Sequence, residues 1–167
     1  NPFSFGCLAA GSPGNTPHYV NRLTPSSYPA TLTSVSIYFP NCSLTVGTAI
    51  TILVGNNPDG DSNINNTLLQ TTPATVQALN AFNTYLVPNV TITSGDFVVG
   101  FRITTASGVF PAPYDGAVPH LQRSYISFDG TNFDLLDNIF PGIPGNFGIR
   151  ARVYSGAANC PTRHGAG

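Results

Sequence analysis

Asp59, Asp61 and Asn63 stand at i, i+2 and i+4 in the stretch Asn57-Pro58-Asp59-Gly60-Asp61-Ser62-Asn63. Hard oxygen ligands at that spacing suit Ca²⁺. No Glu exists to close such a loop with a bidentate carboxylate, and an ordinary turn-rich loop selects the same residues. Ca²⁺ is therefore the one cofactor the sequence offers, with a plain polar turn as the competing reading. Asp129, Asp134 and Asp137 gather around one short segment, where Asp again serves turns through its own local hydrogen bonds. His18, His120 and His164 are scattered. There is no Gly-x-Ser-x-Gly elbow, no His-Glu-x-x-His and no Gly-rich phosphate loop, so the chain is not expected to be an enzyme.

Cys7, Cys42 and Cys160 are the cysteines. In an oxidising compartment two of them can pair, which leaves one over. Spacing does not say which two. Cys7 and Cys160, at opposite ends, would suit a bond that pins a swapped strand within or between chains. With no Cys-x-x-Cys, zinc is not expected. Asn41, Asn65 and Asn89 each open an N-glycosylation triplet, about as many triplets as this composition yields by chance. A sugar-binding surface would need aromatic platforms. Trp is absent, so Tyr38, Tyr85, Tyr114, Tyr125 and Tyr154 are the candidates, and Tyr38 and Tyr154 face outward in the strand register.

The elements that position these residues follow from composition and periodicity. Charged residues make up 8% of the 167, against about 25% in an ordinary globular chain. All the charges are Arg and Asp, for Lys and Glu do not occur. Helical surfaces are normally built from Lys, Glu, Gln and Ala; here Asn, Thr and Ser carry solubility, with many Gly and Pro. A net charge of −1 leaves no electrostatic footprint for nucleic acid, and no apolar run is long enough to span a bilayer. The chain begins without Met and has no signal-peptide pattern, as a processed extracellular or cell-surface product would.

Asp96–Thr104 is the clearest strand, with Phe97, Val99, Phe101 and Ile103 alternating along one face. His18–Leu23, Thr31–Phe39, Ala49–Gly55, Thr67–Thr72, Ala81–Val87, Ser124–Phe128, Phe133–Leu136 and Phe147–Tyr154 read as further strands. Asp129-Gly130-Thr131-Asn132 makes a hairpin turn, one helical turn is possible within Pro73–Asn80, and Val109–Leu121 is a Pro-rich irregular connection. Eight to nine short strands predict an all-β, two-sheet sandwich of jelly-roll type. Its divisions are an apolar N-terminal arm and linker (1–15), the sandwich (16–155) and a polar tail (156–167).

Three segments carry a resemblance. Asp96-Phe97-Val98-Val99-Gly100-Phe101, Arg123-Ser124-Tyr125-Ile126-Ser127-Phe128-Asp129-Gly130 and Asn146-Phe147-Gly148-Ile149-Arg150-Ala151 resemble a β-sandwich accessory module of secreted bacterial proteins, over roughly residues 30–154. The resemblance implies a non-catalytic module that attaches, presents or binds carbohydrate, and it assigns no active residue. The departure is at the front, where the module stands behind the arm rather than trailing an enzyme. That arm, with Phe3, Phe5, Cys7 and Leu8, alternates like a strand on a Gly/Ser/Pro leash. It suggests two functions. In one, the chain is a structural subunit of an extracellular fibre or surface layer, a homopolymer in which each arm fills the neighbour's sheet. In the other, it is a carbohydrate-binding or adhesive module whose arm folds back onto its own sheet.

Overall fold

The computed structural model describes residues 5–155. Its strands are β1 (Gly6–Leu8), β2 (His18–Leu23), β3 (Ala30–Phe39), β4 (Ala49–Asn57), β5 (Leu68–Thr75), β6 (Ala81–Ile92), β7 (Asp96–Arg102), β8 (Ala112–Asp115), β9 (Ser124–Ser127), β10 (Asp134–Leu135), β11 (Asn146–Phe147) and β12 (Ile149–Ser155). One helical turn, α1, covers Leu136–Ile139. The expected turn within Pro73–Asn80 is absent; β5 runs through Pro73 to Thr75 instead.

One layer is a six-stranded sheet in the order β10-β9-β2-β7-β4-β5. The other combines β1-β8-β11 with β12-β3-β6. These two ladders meet at Gly148, whose N–H donates to the Pro113 carbonyl and whose carbonyl accepts from Tyr38 N–H. Apart from the hairpins β4–β5 and β9–β10 and the step from β11 to β12, every connection passes from one layer to the other. That crossing habit gives a jelly-roll-type sandwich, as the strand pattern predicts.

The main core lies between the layers. Tyr19, Ile52, Val54, Phe97, Val99, Phe101 and Ile126 of the larger sheet meet Leu32, Val35, Ile37, Phe39, Val87 and Ile149 of the other. These residues alternate along their strands, so a one-residue slip in any strand would turn its apolar set to solvent. A smaller cluster of Val20, Leu53, Ile64, Val98 and Tyr125 buries the opposite face of the larger sheet. The loop between β4 and β5 covers it through Ile64, which is why β7 is buried on both faces along most of its length. Glycine is required at position 100: a Cβ there would stand 1.9 Å from the Tyr19 carbonyl oxygen.

The arm follows the second of its two readings and folds back onto its own sheet. β1 pairs antiparallel with β8 of its own chain, Gly6 opposite Tyr114, Cys7 opposite Pro113 and Leu8 opposite Ala112. Leu8 and Ala10 are buried in the main core, and Ala10 N–H donates to the buried Tyr19 hydroxyl at 3.0 Å. The Phe5 ring lies on Tyr38 with centroids 4.7 Å apart. Cys7 is joined to Cys42, 35 residues away, not to the distant tail. A three-residue apolar strand gains most where its slot is tethered to it, and the nearest slot is in the same molecule. Phe3 and Cys160 lie outside the described residues.

The Pro-rich connection also holds more order than expected, since it supplies β8, the middle strand of β1-β8-β11. Pro113 lacks an N–H but still accepts through its carbonyl, so the ladder tolerates it.

Replacing Cys7 and Cys42 together by Ser should lower the unfolding free energy by about 2–4 kcal/mol through the lost loop constraint. Urea titration reads the loss, and sedimentation should give the same particle mass before and after the change.

Candidate functional site

The residues singled out for chemistry in the sequence turn out mainly to build the fold. Asp61 N–H donates to Asp59 Oδ1 at 3.1 Å, Asn63 N–H to Asp61 Oδ1 at 3.0 Å and Asn65 N–H to Asn63 Oδ1 at 3.0 Å. One oxygen of each side chain is thus engaged in a repeating turn, as the polar-loop reading has it. Among the described residues no group of three His, Cys or Asp is placed as metal ligands are. Asp129 accepts from Thr131 N–H, Asn132 N–H, the Asn132 side chain and Ser127 Oγ–H. Those donors, Asn132 foremost, hold its carboxyl well below the usual carboxylate range. Asp134 accepts from Leu135 N–H and Asn138, and Asp137 from Gly145 N–H.

The loop carrying Asp59–Asn63 is fastened to the sheet by a network that sequence reasoning did not find. Arg22 Nη1 donates to Asp96 Oδ2 at 2.5 Å and to the Gly60 carbonyl at 3.3 Å, and Arg22 Nε donates to Tyr125 Oη at 3.2 Å. Tyr125 donates onward to the Ser62 carbonyl at 2.8 Å. Thr24 Oγ1–H satisfies Asp96 Oδ1, and Arg123 donates to Thr24 Oγ1. The available signal was the odd charge in each apolar run, Arg22 in β2 and Asp96 opening β7.

Of the three histidines, His164 lies outside the described residues. The His120 ring nitrogen is 3.1 Å from the Gly116 carbonyl. His18 is buried, opposite Arg102 on one side and Ser127 on the other. The glycosylation candidates Asn41, Asn65 and Asn89 are all exposed, although Asn65 Oδ1 accepts from Phe133 N–H and the Thr67 hydroxyl of its triplet is bonded to the Ile64 carbonyl.

The tyrosines separate cleanly. Tyr85 is in the core, donating to the Thr75 carbonyl, and burial pushes its pKa up to about 12. Tyr125 belongs to the Arg22 network, and Tyr114 donates to the Pro144 carbonyl. Tyr38 does face outward as its register requires, but it is buried because Phe5 and Phe82 lie on it. Tyr154 alone of the five is exposed, at 59%.

Tyr154 stands at one end of an open groove of about 740 Å³ across the outer face of β12-β3-β6. The register lays out this face in rows. Arg150 is opposite Ser36, which is opposite Thr84; Arg152 is opposite Ser34, which is opposite Leu86. The Ser36 and Thr84 hydroxyl oxygens are 2.8 Å apart. Leu86 is 82% exposed. In the next row of the sheet Tyr38 and Phe82 pack with Phe5, and the Arg150 guanidinium carbon lies 4.3 Å from the Phe82 ring centroid. Arg150 also borders a tighter cleft of about 290 Å³ between the layers, lined by Phe5, Asn21, Leu121, Ser124 and Phe147. The polar floor of that cleft is internally satisfied. Asn21 Nδ2 donates to the Phe147 and Ile149 carbonyls, and Ser124 Oγ–H donates to Asn21 Oδ1. The open face is thus the place where hydroxyl, cationic and apolar groups are presented outward together.

No family model matches the chain, and no curated protein sequence does. Solved structures do. One contains the cysteine protease and lectin-like domains of Cwp84, a surface layer associated protein of Clostridium difficile. It matches with a TM-score of 0.63 and 16% identity, over 85% of this chain and 33% of that one. Another, a clostridial cysteine protease Cwp84 variant after propeptide cleavage, gives 0.64 and 16%, over 85% and 36%. The chain spans about a third of the length of either. The likeness is one of fold, an all-β module like the lectin-like part of those proteins.

Two outcomes test this part of the structure. Replacing Asp96 by Ala strands a buried guanidinium and should cost about 3–5 kcal/mol, read by denaturant titration. Burial, and then the Arg102 guanidinium, hold the His18 pKa below its ordinary value, against the Ser127 and Thr16 carbonyls and Asp129. The unfolded chain therefore takes up this proton at higher pH than the folded one. Stability should fall as pH drops below about 6.5, by at most ~1.4 kcal/mol per pH unit. His18→Gln should flatten that part of the profile.

Proposed function

We propose that this chain is a non-catalytic carbohydrate-binding or adhesive module of an extracellular or cell-surface protein, and that a glycan lies across the outer face of β12-β3-β6. The observation that carries this reading is the face itself. Exposed Tyr154 and Leu86 flank the Ser36 and Thr84 hydroxyls. A sugar ring offers an apolar face and a rim of hydroxyls. Tyr154 supplies a platform for the first, and Ser, Thr and Arg side chains supply hydrogen-bond partners for the second.

The fold likeness to a protein whose name includes lectin-like domains lends support of a general kind. The low charge and the Asn, Thr and Ser surface agree with an extracellular setting, as does the Cys7–Cys42 bond. A non-catalytic role is supported by the state of the described carboxylates beside the hairpin: Asp129, Asp134 and Asp137 all serve turns. Leu8 seated in its own chain's core supports the module reading over the fibre reading.

A glycan array followed by titration of the best ligand tests the proposal. Tyr154→Ala should weaken binding about tenfold, or ~1.4 kcal/mol, and leave the unfolding midpoint unchanged because the ring is exposed. An array with no ligand, or undiminished binding by the variant, would remove this face from consideration.

A further inference from the structure

We infer that the cleft between the layers binds a free apolar α-amino acid, held as its zwitterion. The cleft measures about 290 Å³, no larger than the smallest ordinary ligand sites, about 300 Å³, so its ligand is small. Phe147 and Ile149 give it a buried apolar lining, and Leu121 adds an apolar side chain that is 60% exposed. Its polar floor is already satisfied, Asn21 by the Phe147 and Ile149 carbonyls and Ser124 by Asn21. Arg22 is engaged by Asp96, Tyr125 and the Gly60 carbonyl, and Arg150 lies over the Phe82 ring. Two lining groups of opposite charge keep bonding capacity to spare, Arg123 and Asp115.

Arg123 Nη1 donates to Thr24 Oγ1 at 2.9 Å and to the Arg22 carbonyl at 3.4 Å. Among the described residues no acceptor meets its Nε or Nη2. Those two donors form an edge that grips a carboxylate with two parallel bonds. Arg22 and Arg123 also share one carboxylate, with their Nη1 atoms 2.5 Å and 3.8 Å from Asp96 Oδ2. One negative charge offsets one of the two cations, so the Arg123 side of the cleft keeps a net positive charge. Asp115 stands on β8, opposite Asn146 of β11. Its Oδ1 accepts from Ala117 N–H at 2.9 Å, and among the described residues no donor meets its Oδ2. That oxygen is free to accept from an ammonium group. A zwitterion answers both: its carboxylate on Arg123, its ammonium on Asp115, and an apolar side chain against Phe147, Ile149 and Leu121. An amine, a simple carboxylic acid or either end of a peptide would leave one of the two charges facing water.

Calorimetric titration of the whole chain with phenylalanine and with leucine tests this, against phenylalaninamide, 3-phenylpropionate, N-acetylphenylalanine and glycine. At least one of the two amino acids should bind about tenfold tighter than every one of the four controls. Arg123→Gln should remove most of the preference over the amide, and Asp115→Asn most of the preference over 3-phenylpropionate. Arg123→Gln also gives up its bond to Thr24, so Asp115→Asn, which keeps an oxygen for Ala117 N–H, carries the test should the first variant melt at a lower temperature. No binding of either amino acid, or preferences unchanged in Asp115→Asn, overturns the inference. Equal or tighter binding of N-acetylphenylalanine also overturns it, since the ammonium is then not read. Each result is independent of whether the outer face of β12-β3-β6 binds a glycan.

Discussion

The pairing of β1 with β8 is the contact on which the rest of the reading turns. It fills the slot at the end of the second layer, seats Leu8 in the core and brings Cys7 beside Cys42. It also sets Phe5 on the outer face, where that ring stacks on Tyr38. A single short segment thus completes the core on one side and shapes a surface on the other. Without it the second layer would end on β8, with unpaired N–H and C=O groups, an invitation to pairing between molecules. The remaining edges are blunted by other means: β5 and β6 carry Pro73 and Pro88, and β10 is two residues long.

A second constraint operates in the larger sheet. Burying both faces of β2 and β7 requires a lid, and the lid is a polar loop with few apolar residues. Ile64 supplies the apolar contact, and Arg22 with Tyr125 supplies hydrogen bonds to the Gly60 and Ser62 carbonyls. A guanidinium suits this task because its several donors serve a carboxylate and a loop carbonyl at once. Replacing the pair with apolar residues could keep the sheet packed, but it would release the loop. The Asp59–Asn63 turns do the rest locally, each side chain satisfying a backbone N–H that no strand partner reaches.

Much of the fold was legible because its signals are local. β2 falls on His18–Leu23 as expected, and the alternation of Phe147, Ile149, Ala151 and Val153 gives the last strand's inward face. What stayed hidden was non-local. β8 is too short and too rich in proline to show a period of two, and only its neighbours β1 and β11 make it a strand. The arm's alternation correctly marked a strand that needs a slot. Periodicity carries no information about whose slot it is; proximity through the chain decides that. Register gave the direction of Tyr38 correctly and its exposure wrongly, since exposure depends on what lies on top, here Phe5 and Phe82 from distant segments.

The same distinction explains why the candidate site was only half visible. Tyr154 and the outward Arg150 and Arg152 follow from the period of β12, but the rows they form depend on β3 and β6 lying beside it in the observed register. Charge placement then gives the face its character. In a chain with ordinary charge density, two exposed arginines would be unremarkable, since surface pairs with nearby carboxylates contribute little. Here the acidic residues seen around the Asp129 hairpin and the β4–β5 loop are tied into turns away from this groove. The character of the β12-β3-β6 face therefore depends on where the sequence puts its few Asp residues as much as on where it puts Arg. Arg150 also packs, its guanidinium lying over the Phe82 ring, while Arg152 stands exposed two residues further along the same strand.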